Sequence, residues 1–203
     1  MATDQHLQFI QRLVEASVQS LAGSIDQYWP VVNPERNGLQ EANLVTHLAA
    51  AGLAKGGYAY PEASNGNTEL GHSRIDLLLL WQMERARLAL LVEAKKLFSA
   101  DKASEIVSDF EKMQRFAFVR DGQLESFQAP QATYGLLMAV TTSAENSRWW
   151  EEPYEWDAGA SWDRLKVVLE KAEVRATIRL EGPRPQFILY ALYRLDGQVQ
   201  LWS

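Results

Sequence analysis

The sequence predicts an α/β domain with a mixed β-sheet flanked by helices, and three observations carry this prediction. Two segments, 74–81 and 87–95, are dense in leucine and bracketed by polar residues, which is typical of buried strands. Two others, 6–22 and 101–120, place apolar residues at steps of three and four, which is typical of amphipathic helices. With 203 residues and 47% hydrophobic composition, the chain can bury the core of one ordinary domain.

The elements in the first half of the chain are expected to be two helices followed by three strands. Their predicted ranges are 6–22, 37–52, 58–62, 74–81 and 87–95. The segment 29–34, which contains Pro30 and Pro34, is expected to break the first helix. Asn37, a good cap residue with Gln40 three positions later, is expected to start the second helix.

The elements in the second half are expected to be a helix, a strand, a helix and two final strands joined by an Asp196-Gly197 turn. Their predicted ranges are 101–120, 133–142, 162–173, 186–194 and 198–202. The aromatic and acidic run 149–157 is interpreted either as a surface loop anchored by tryptophans or as a protein-binding edge or base-stacking platform, and its acids disfavour base stacking. No linker divides the chain, so we expect one domain over 1–203. Its parts are a core at about 38–142, an N-terminal helical extension at 1–35 and a C-terminal elaboration at 143–203.

Composition and charge exclude several kinds of site. The chain has no cysteine, so any metal must be bound by oxygen or imidazole, and a cysteine nucleophile is excluded. The net charge of −6 argues against a protein that coats nucleic acid through a broad basic surface. The longest apolar runs are too short to cross a bilayer and the N-terminus lacks an apolar signal core, so we expect a cytoplasmic protein.

Three charged residues come together if the two leucine-rich segments pair as a hairpin. A hairpin centred between Glu84 and Arg85 places Asp76 opposite Glu93, with Cβ atoms about 5 Å apart. Glu93 and Lys95 are two positions apart in one strand, so their side chains share a face. A slip of one residue in the pairing would move one acid to the other face.

These two acids and the amine fit a site for a divalent cation. Two carboxylates held together on an apolar hairpin repel each other unless a cation neutralises them. Mg²⁺ prefers a few carboxylates with several waters, and Mn²⁺ is expected to substitute for it. Lys95 could position an attacking water or support negative charge that develops on a phosphate. The structural alternative is that Asp76 pairs with Arg74 and that Glu93 and Lys95 form a salt bridge on an exposed hairpin edge.

The pattern resembles the signature of the PD-(D/E)xK, or restriction-endonuclease-like, nuclease superfamily. The matching residues are Ile75-Asp76 and, after a short hairpin, Glu93-Ala94-Lys95, with Ile75 standing where the motif has a proline. Members of this superfamily share a core of helix, three strands, helix and strand, and this order is predicted for 38–142. The resemblance implies that Asp76 and Glu93 bind the metal, that Lys95 is the catalytic lysine and that the reaction cleaves a phosphodiester bond.

Five further residues are candidates for supporting roles. The superfamily often adds a glutamate on the helix before the first strand, and Glu41 fits that place, although the helix dipole also favours an acid there. Glu62, on the first predicted strand, could add an acid near the metal. The helix after the motif carries Lys102, Lys112 and Arg115, which could contact phosphates or could form an ordinary solvated helix face.

We therefore expect a Mg²⁺-dependent nuclease, with DNA favoured over RNA as its substrate and with endonuclease and exonuclease action both left open. The alternative is an inactive nuclease-fold protein that acts as a binding, regulatory or structural subunit through its acidic, tryptophan-rich surface. The expected partners are nucleic acid and either a second copy of the chain or another protein, with no membrane involved.

Overall fold

A mixed six-stranded sheet forms the centre of the fold in the computed structural model of the protein. The strands in chain order are β1 (Tyr58–Ser64), β2 (Arg74–Gln82), β3 (Arg87–Lys96), β4 (Ala117–Val119), β5 (Ala132–Thr141), β6 (Val174–Leu180), β7 (Gln186–Arg194) and β8 (Gln200–Trp202). Their order in the large sheet is β1-β2-β3-β5-β7-β6, and β4 pairs with β8 in a separate two-stranded sheet. In the large sheet β3 and β5 are parallel, whereas the other neighbouring strands are antiparallel.

The structure describes most of the chain. The described ranges are 4–32, 39–66, 73–83, 86–119, 130–155, 159–181, 185–195 and 200–202, with side chains left out for 26–32, 119 and 200–202. The helices are α1 (Gln5–Val32), α2 (Glu41–Ala54), α3 (Ala100–Gln114), α4 (Ala144–Glu151) and α5 (Ala160–Glu170). None of the helices in the described ranges has the length and apolar character that crossing a membrane requires.

The helices cover both faces of the sheet, so the central strands are buried on both sides. In β3, Leu90 and Val92 pack into a cluster with residues of α1 and α2. Ala89 and Leu91, which alternate with them, pack into a second cluster with residues of α3, α4 and α5. We call this second side of the sheet the α3 face. Burial on both sides explains why β2 and β3 appear in the sequence as nearly continuous apolar runs.

The predicted α/β class and the mixed sheet flanked by helices are confirmed. From α2 to β5 the order is helix, three strands, helix and strand, with the short β4 added before the last strand. Local signals account for the start and end of α2. Gln40 and Asn43 form a capping box at its start. At its end Gly56 adopts a φ of 74°, a left-handed conformation that favours glycine.

Both predicted boundaries between the first two helices are wrong. α1 continues through Pro30 to Val32, so Pro30, which lies two residues before the end of the helix, does not break it. The second helix begins after Gln40, which is its N-cap, three residues later than predicted. Asn37, the predicted cap, lies outside the described residues.

The predicted helix over 101–120 is too long, because its last residues form β4. Asn65 fixes this strand: its Oδ1 accepts a hydrogen bond of 3.0 Å from the Ala117 N–H. The Gly66 N–H donates to the Ala117 carbonyl oxygen at 2.9 Å. These contacts join segments that are far apart in sequence, and helical spacing in the sequence cannot reveal them.

The predicted hairpin of the two C-terminal strands is also wrong. β8 pairs in parallel with β4, and β7 pairs with β5 and with β6, a strand that was not predicted. The Asp196-Gly197 turn lies outside the described residues.

The tryptophan-rich run begins with a helix that was not predicted, and its first two tryptophans belong to the core. Trp149 and Trp150 of α4 are 1% and 0% exposed. Their indole N–H groups donate to the carbonyl oxygens of Tyr154 and Tyr190, each at 3.0 Å. Neither ring is therefore available as a protein-binding edge, which corrects that interpretation for this part of 149–157, whereas the expected anchoring by tryptophans is present. Residues 156 and 157 lie outside the described ranges.

Candidate active site

The site begins where β2 and β3 separate. Their paired residues run from Gln82 with Arg87 to Leu77 with Val92, which confirms the predicted hairpin register. The Met83 N–H donates to the Ala86 carbonyl oxygen at 2.9 Å beside the loop, whose central residues 84 and 85 lie outside the described residues. The pairing of β2 with β3 ends at Leu77 and Val92, one position before Asp76 and Glu93 would face each other.

The Asp76 side chain lies in the gap that opens between the two strands. Its Oδ2 accepts a hydrogen bond of 2.8 Å from the Ala94 N–H. In a continued ladder that N–H would bond to a backbone carbonyl of β2, so the carboxylate replaces the lost partner. One oxygen of Asp76 is thus fixed to the edge of β3. The predicted pairing places Asp76 directly opposite Glu93. In the structure the Asp76 carboxylate instead bonds to the Ala94 N–H at the edge of β3.

Glu93 and Lys95 project from β3 toward α3. Their partners across the parallel β3–β5 pairing are Leu137 and Ala139, which both belong to the cluster on the α3 face. Residues directly opposite each other share a face. Ala94, between them, belongs to the cluster on the other side of the sheet. The predicted shared face of Glu93 and Lys95 is therefore present.

Glu93 is a buried acid with one unpartnered oxygen. The residue is 1% exposed, and its Oε1 forms an ion pair with the Lys112 ammonium of α3. Among the described residues no hydrogen-bond donor reaches Oε2, which is also buried. Burial, and then the negative charges of Asp109 and Asp76, raise the pKa of Glu93 to about 9, although the Lys112 contact opposes this shift.

Asp109 is the member of the site that the sequence analysis missed. Its Oδ2 lies 3.1 Å from Lys95 Nζ and its Oδ1 lies 3.0 Å from Lys112 Nζ. A signal for it exists in the sequence, since it follows the buried Ile106 by three residues and precedes the buried Met113 by four. A charged residue at such a position points inward and needs a partner.

The two ammonium groups are stabilised in their charged form. Burial alone would lower the pKa of Lys95, but the charges of Asp109 and Asp76 outweigh it and raise that pKa. Burial likewise opposes the shift of Lys112, whose pKa is raised by its contacts with Glu93 and Asp109. Asp76, Glu93, Lys95, Asp109 and Lys112 therefore form one electrostatic unit, which we call the charged cluster.

The accessory candidates lie at different distances from this cluster. Glu41 Oε1 accepts a hydrogen bond of 2.9 Å from the Lys96 N–H. The N–H groups of Ala94 and Lys96 are two residues apart in β3, so they point to the same edge about 7 Å apart. Glu41 and Asp76 thus line one edge of β3.

Three other candidates are placed outside the charged cluster. Glu62 is exposed on the edge strand β1 and has a φ of 53°. Lys102 forms an ion pair with Glu105 at 2.6 Å on the outer part of α3. Arg115 is exposed and is the C-cap residue of α3. Lys112, in contrast, points into the cluster, so its ammonium is engaged by acids rather than displayed on a solvated helix face.

The charged cluster offers two carboxylates for a divalent cation rather than a complete cage. Among the described residues, no group of three or more His, Asp or Glu side chains is arranged to hold a metal ion. Mg²⁺ does not require such a group, because proteins usually bind it through one or two carboxylates and water. The unpartnered Oε2 of Glu93 is a buried acceptor that fits this role, and Asp76 uses only Oδ2 for the Ala94 N–H.

Comparisons with known proteins found no match to this chain among protein-family models, curated proteins or solved structures.

Glu93→Gln is expected to change how stability depends on pH in metal-free protein. The pKa of Glu93 is about 9 in the folded state, whereas its ordinary value is 4.5. Between these pH values the unfolded chain releases a proton that the folded protein keeps, so the free energy of unfolding falls as pH rises. The glutamine variant should lose this contribution, which amounts to at most about 1.4 kcal/mol per pH unit.

Urea unfolding at pH 5 to 9 in the presence of a chelator measures this difference. Glu105→Gln, an exposed acid on α3, is the control and should keep the slope of the wild type. If the free energy of unfolding changes with pH in the same way for wild type and Glu93→Gln, the pKa of Glu93 is not raised by burial.

Proposed function

We propose that this protein is a metal-dependent nuclease with a restriction-endonuclease-like core. The observation that carries the proposal is that Asp76, Glu93 and Lys95 interact electrostatically where β2 separates from β3, and that Glu93 has a buried carboxylate oxygen that lacks a donor among the described residues. An acid pair and an amine at one point on a rigid sheet are the groups that hydrolysis of a phosphodiester requires.

The order of elements supports the core assignment. The segment from α2 through β1, β2, β3 and α3 to β5 has the order that the PD-(D/E)xK superfamily shares. The acids lie on its second and third strands and the amine on its third, as the signature requires. The core would then cover about 38–142, with α1 as an added N-terminal helix.

Asp76 and Glu93 are the residues that would hold Mg²⁺ or Mn²⁺. When both are ionised, their two negative charges match the charge of one divalent cation, which would favour the ionised form of Glu93 against the burial and the neighbouring charges of Asp109 and Asp76 that raise its pKa. When bound, the cation supplies a site that lowers the pKa of a water and polarises a phosphate oxygen. Glu41, at the same edge of β3, is placed to hold a water of the hydrated cation or to orient Asp76.

Lys95 is the group that would contact the reacting phosphate. Its side chain is 19% exposed, so the ammonium reaches solvent while its stem is held against the sheet. Its raised pKa keeps it charged at neutral pH, which suits stabilisation of negative charge rather than removal of a proton from water.

DNA is the substrate class that we assign, and binding is expected to depend on the metal. The chain has a net charge of −6, and the charged cluster contains more acids than amines, so a nucleic acid gains little attraction from the metal-free protein. A cation bound between Asp76 and Glu93 reverses the sign of the local charge and makes the site attractive to a phosphodiester.

The competing function is that of a nuclease-fold protein that binds a partner without catalysis. The observation that favours it is the Lys112–Glu93 ion pair, which partly neutralises the buried acid without a metal. The buried Trp149 and Trp150 argue against the tryptophan-rich surface as the means of binding. Cleavage assays separate the two functions.

The test is cleavage of supercoiled plasmid, single-stranded DNA and RNA with Mg²⁺, with Mn²⁺ and with a chelator. We expect metal-dependent cleavage of at least one DNA substrate by the wild type and none by Asp76→Asn. The asparagine keeps an oxygen acceptor for the Ala94 N–H, so the fold is preserved. No cleavage of any substrate with either metal would reject the nuclease, and cleavage of RNA alone would reject DNA as the substrate.

A further inference from the structure

The two halves of the charged cluster have different charge balances. Asp76 and Glu93 supply two negative charges when both are ionised, which suits a divalent cation. Lys95, Lys112 and Asp109 together carry one net positive charge, which suits the single negative charge of a phosphodiester. The side chains of these three residues are 19%, 22% and 13% exposed, so they are accessible at the rim of the buried acid.

Asp109 connects the two amines through its two oxygens. Lys95 Nζ lies 3.1 Å from Oδ2, and Lys112 Nζ lies 3.0 Å from Oδ1. Two ammonium groups this close would repel each other and move apart if no shared anion lay between them. The carboxylate sits on α3 and the two amines come from α3 and β3, so it also ties the helix to the strand that carries the acids.

We propose that Asp109 is a positioning residue that holds the Lys95 and Lys112 ammoniums side by side as a receptor for one phosphate group of the substrate. This inference rests on the proposed nuclease function and adds a residue that lies outside the Asp76, Glu93 and Lys95 signature. Glu93 supports it independently, because its buried Oε2 lacks a donor among the described residues and leaves a place for a cation beside the receptor.

The geometry assigns Asp109 to the amines and not to the metal. Each of its oxygens lies within 3.1 Å of an ammonium, whereas Glu93 has an ion pair at Oε1 and a buried Oε2 with no ammonium beside it among the described residues. A metal ligand and a positioning residue respond differently to Asp109→Asn. Loss of a ligand weakens metal binding, whereas loss of the positioning carboxylate leaves the metal in place and misplaces the amines.

The first experiment compares wild type, Asp109→Asn, Asp109→Glu and Glu111→Gln. We expect Asp109→Asn to lower kcat by about 10- to 100-fold, because small misplacements of catalytic groups have effects of this size. KM should stay constant or fall, because removal of a negative charge favours phosphate binding. Mn²⁺ affinity measured by calorimetry should stay within about threefold of the wild type, since one lost second-sphere charge is a small effect.

The two other variants are the controls. Asp109→Glu keeps the charge, so it should recover part of the lost kcat, and it provides the same comparison if Asp109→Asn does not fold. Glu111→Gln makes the same kind of change two residues away, at an exposed acid that contacts Arg164 at 3.5 Å, and it should leave kcat unchanged. A loss of Mn²⁺ affinity of tenfold or more in Asp109→Asn, or an unchanged kcat, would overturn the proposal.

A second readout does not depend on cleavage. In ¹⁵N-labelled metal-free protein, the side-chain ammonium signals of Lys95 and Lys112 should be protected from exchange in the wild type. In Asp109→Asn the Lys95 signal should be lost, whereas Lys112 keeps its ion pair with Glu93 and should lose only part of its protection. Both signals should be retained in Glu111→Gln. If the wild type cleaves no nucleic acid but these signals behave as expected, the nuclease assignment fails and the positioning role of Asp109 stands. A fully protected Lys95 signal in Asp109→Asn would reject the positioning role whatever the activity.

Discussion

Lys95→Ala is expected to reduce the rate of cleavage by about 100-fold or more, the size of effect typical when one group that stabilises transition-state charge is removed. Lys95, whose side chain is 19% exposed, is the positive residue of the charged cluster that lies on the same strand as Glu93. Its loss leaves both acids in place, so metal affinity should stay equal or increase. Substrate affinity should fall only as expected for one phosphate contact, with a slightly shallower dependence on salt.

Single-turnover cleavage and equilibrium binding of the same variant, at fixed salt and with excess Mg²⁺, measure the two effects separately. Lys96→Ala is a matched control from the next position in β3. Its side chain points away from the charged cluster and donates to Gln40 Oε1 at 2.6 Å, so its removal should leave the rate unchanged. Cleavage by Lys95→Ala at the wild-type rate would remove this lysine from the mechanism.

The residues that the sequence places correctly are those fixed by the period of a strand. Side chains alternate along β3, so Glu93 and Lys95 had to share a face whatever the rest of the fold. The register of β2 with β3 followed from the position of the loop between them, and the structure has this register. The gap at Asp76 could not be predicted in this way, because it depends on where the two strands separate.

The residues that the sequence misses are placed by contacts between distant segments. Lys112 is a candidate phosphate contact in the sequence, with a solvated helix face as the alternative, because helical spacing specifies a face but not what that face packs against. Only the packing of α3 on β3 brings it to Glu93 and brings Asp109 to Lys95. The same limit explains β4, whose position depends on Asn65, a residue on another segment.

The contacts between α3 and β3 that were not predicted involve charged residues. Apolar residues at helical spacing on α3 pack as predicted, whereas the ion pairs that join Asp109 and Lys112 of α3 to β3 were not predicted. A buried acid such as Glu93 costs folding free energy unless it is neutralised. Here a neighbouring lysine neutralises it only in part, since the pKa of Glu93 still rises to about 9. Glu93 therefore still reduces the stability of the folded protein, and a bound cation that neutralises it would increase that stability.

Binding of Mn²⁺ or Mg²⁺ is therefore expected to raise the thermal stability of the protein. At a free metal concentration of 100 times the dissociation constant, linkage adds about 2.7 kcal/mol to the free energy of unfolding. For a chain of this size that gain corresponds to a rise of roughly 5 to 10 °C in Tm. Because the pKa of Glu93 is raised, binding must also release a proton at neutral pH, so the gain should be larger at pH 8 than at pH 6.

Asp76→Asn separates this linkage from nonspecific effects of the cation. Removal of the Asp76 charge relieves the repulsion on Glu93, so the metal-free variant should be as stable as the wild type or more stable. The same change removes a ligand, so most of the rise in Tm with metal should disappear. Asp101→Asn, which removes an exposed acid from the first turn of α3, should keep the full rise. An equal rise in Asp76→Asn and wild type would place the cation elsewhere, and no rise in the wild type at millimolar metal, with no heat of binding in calorimetry, would reject the metal site.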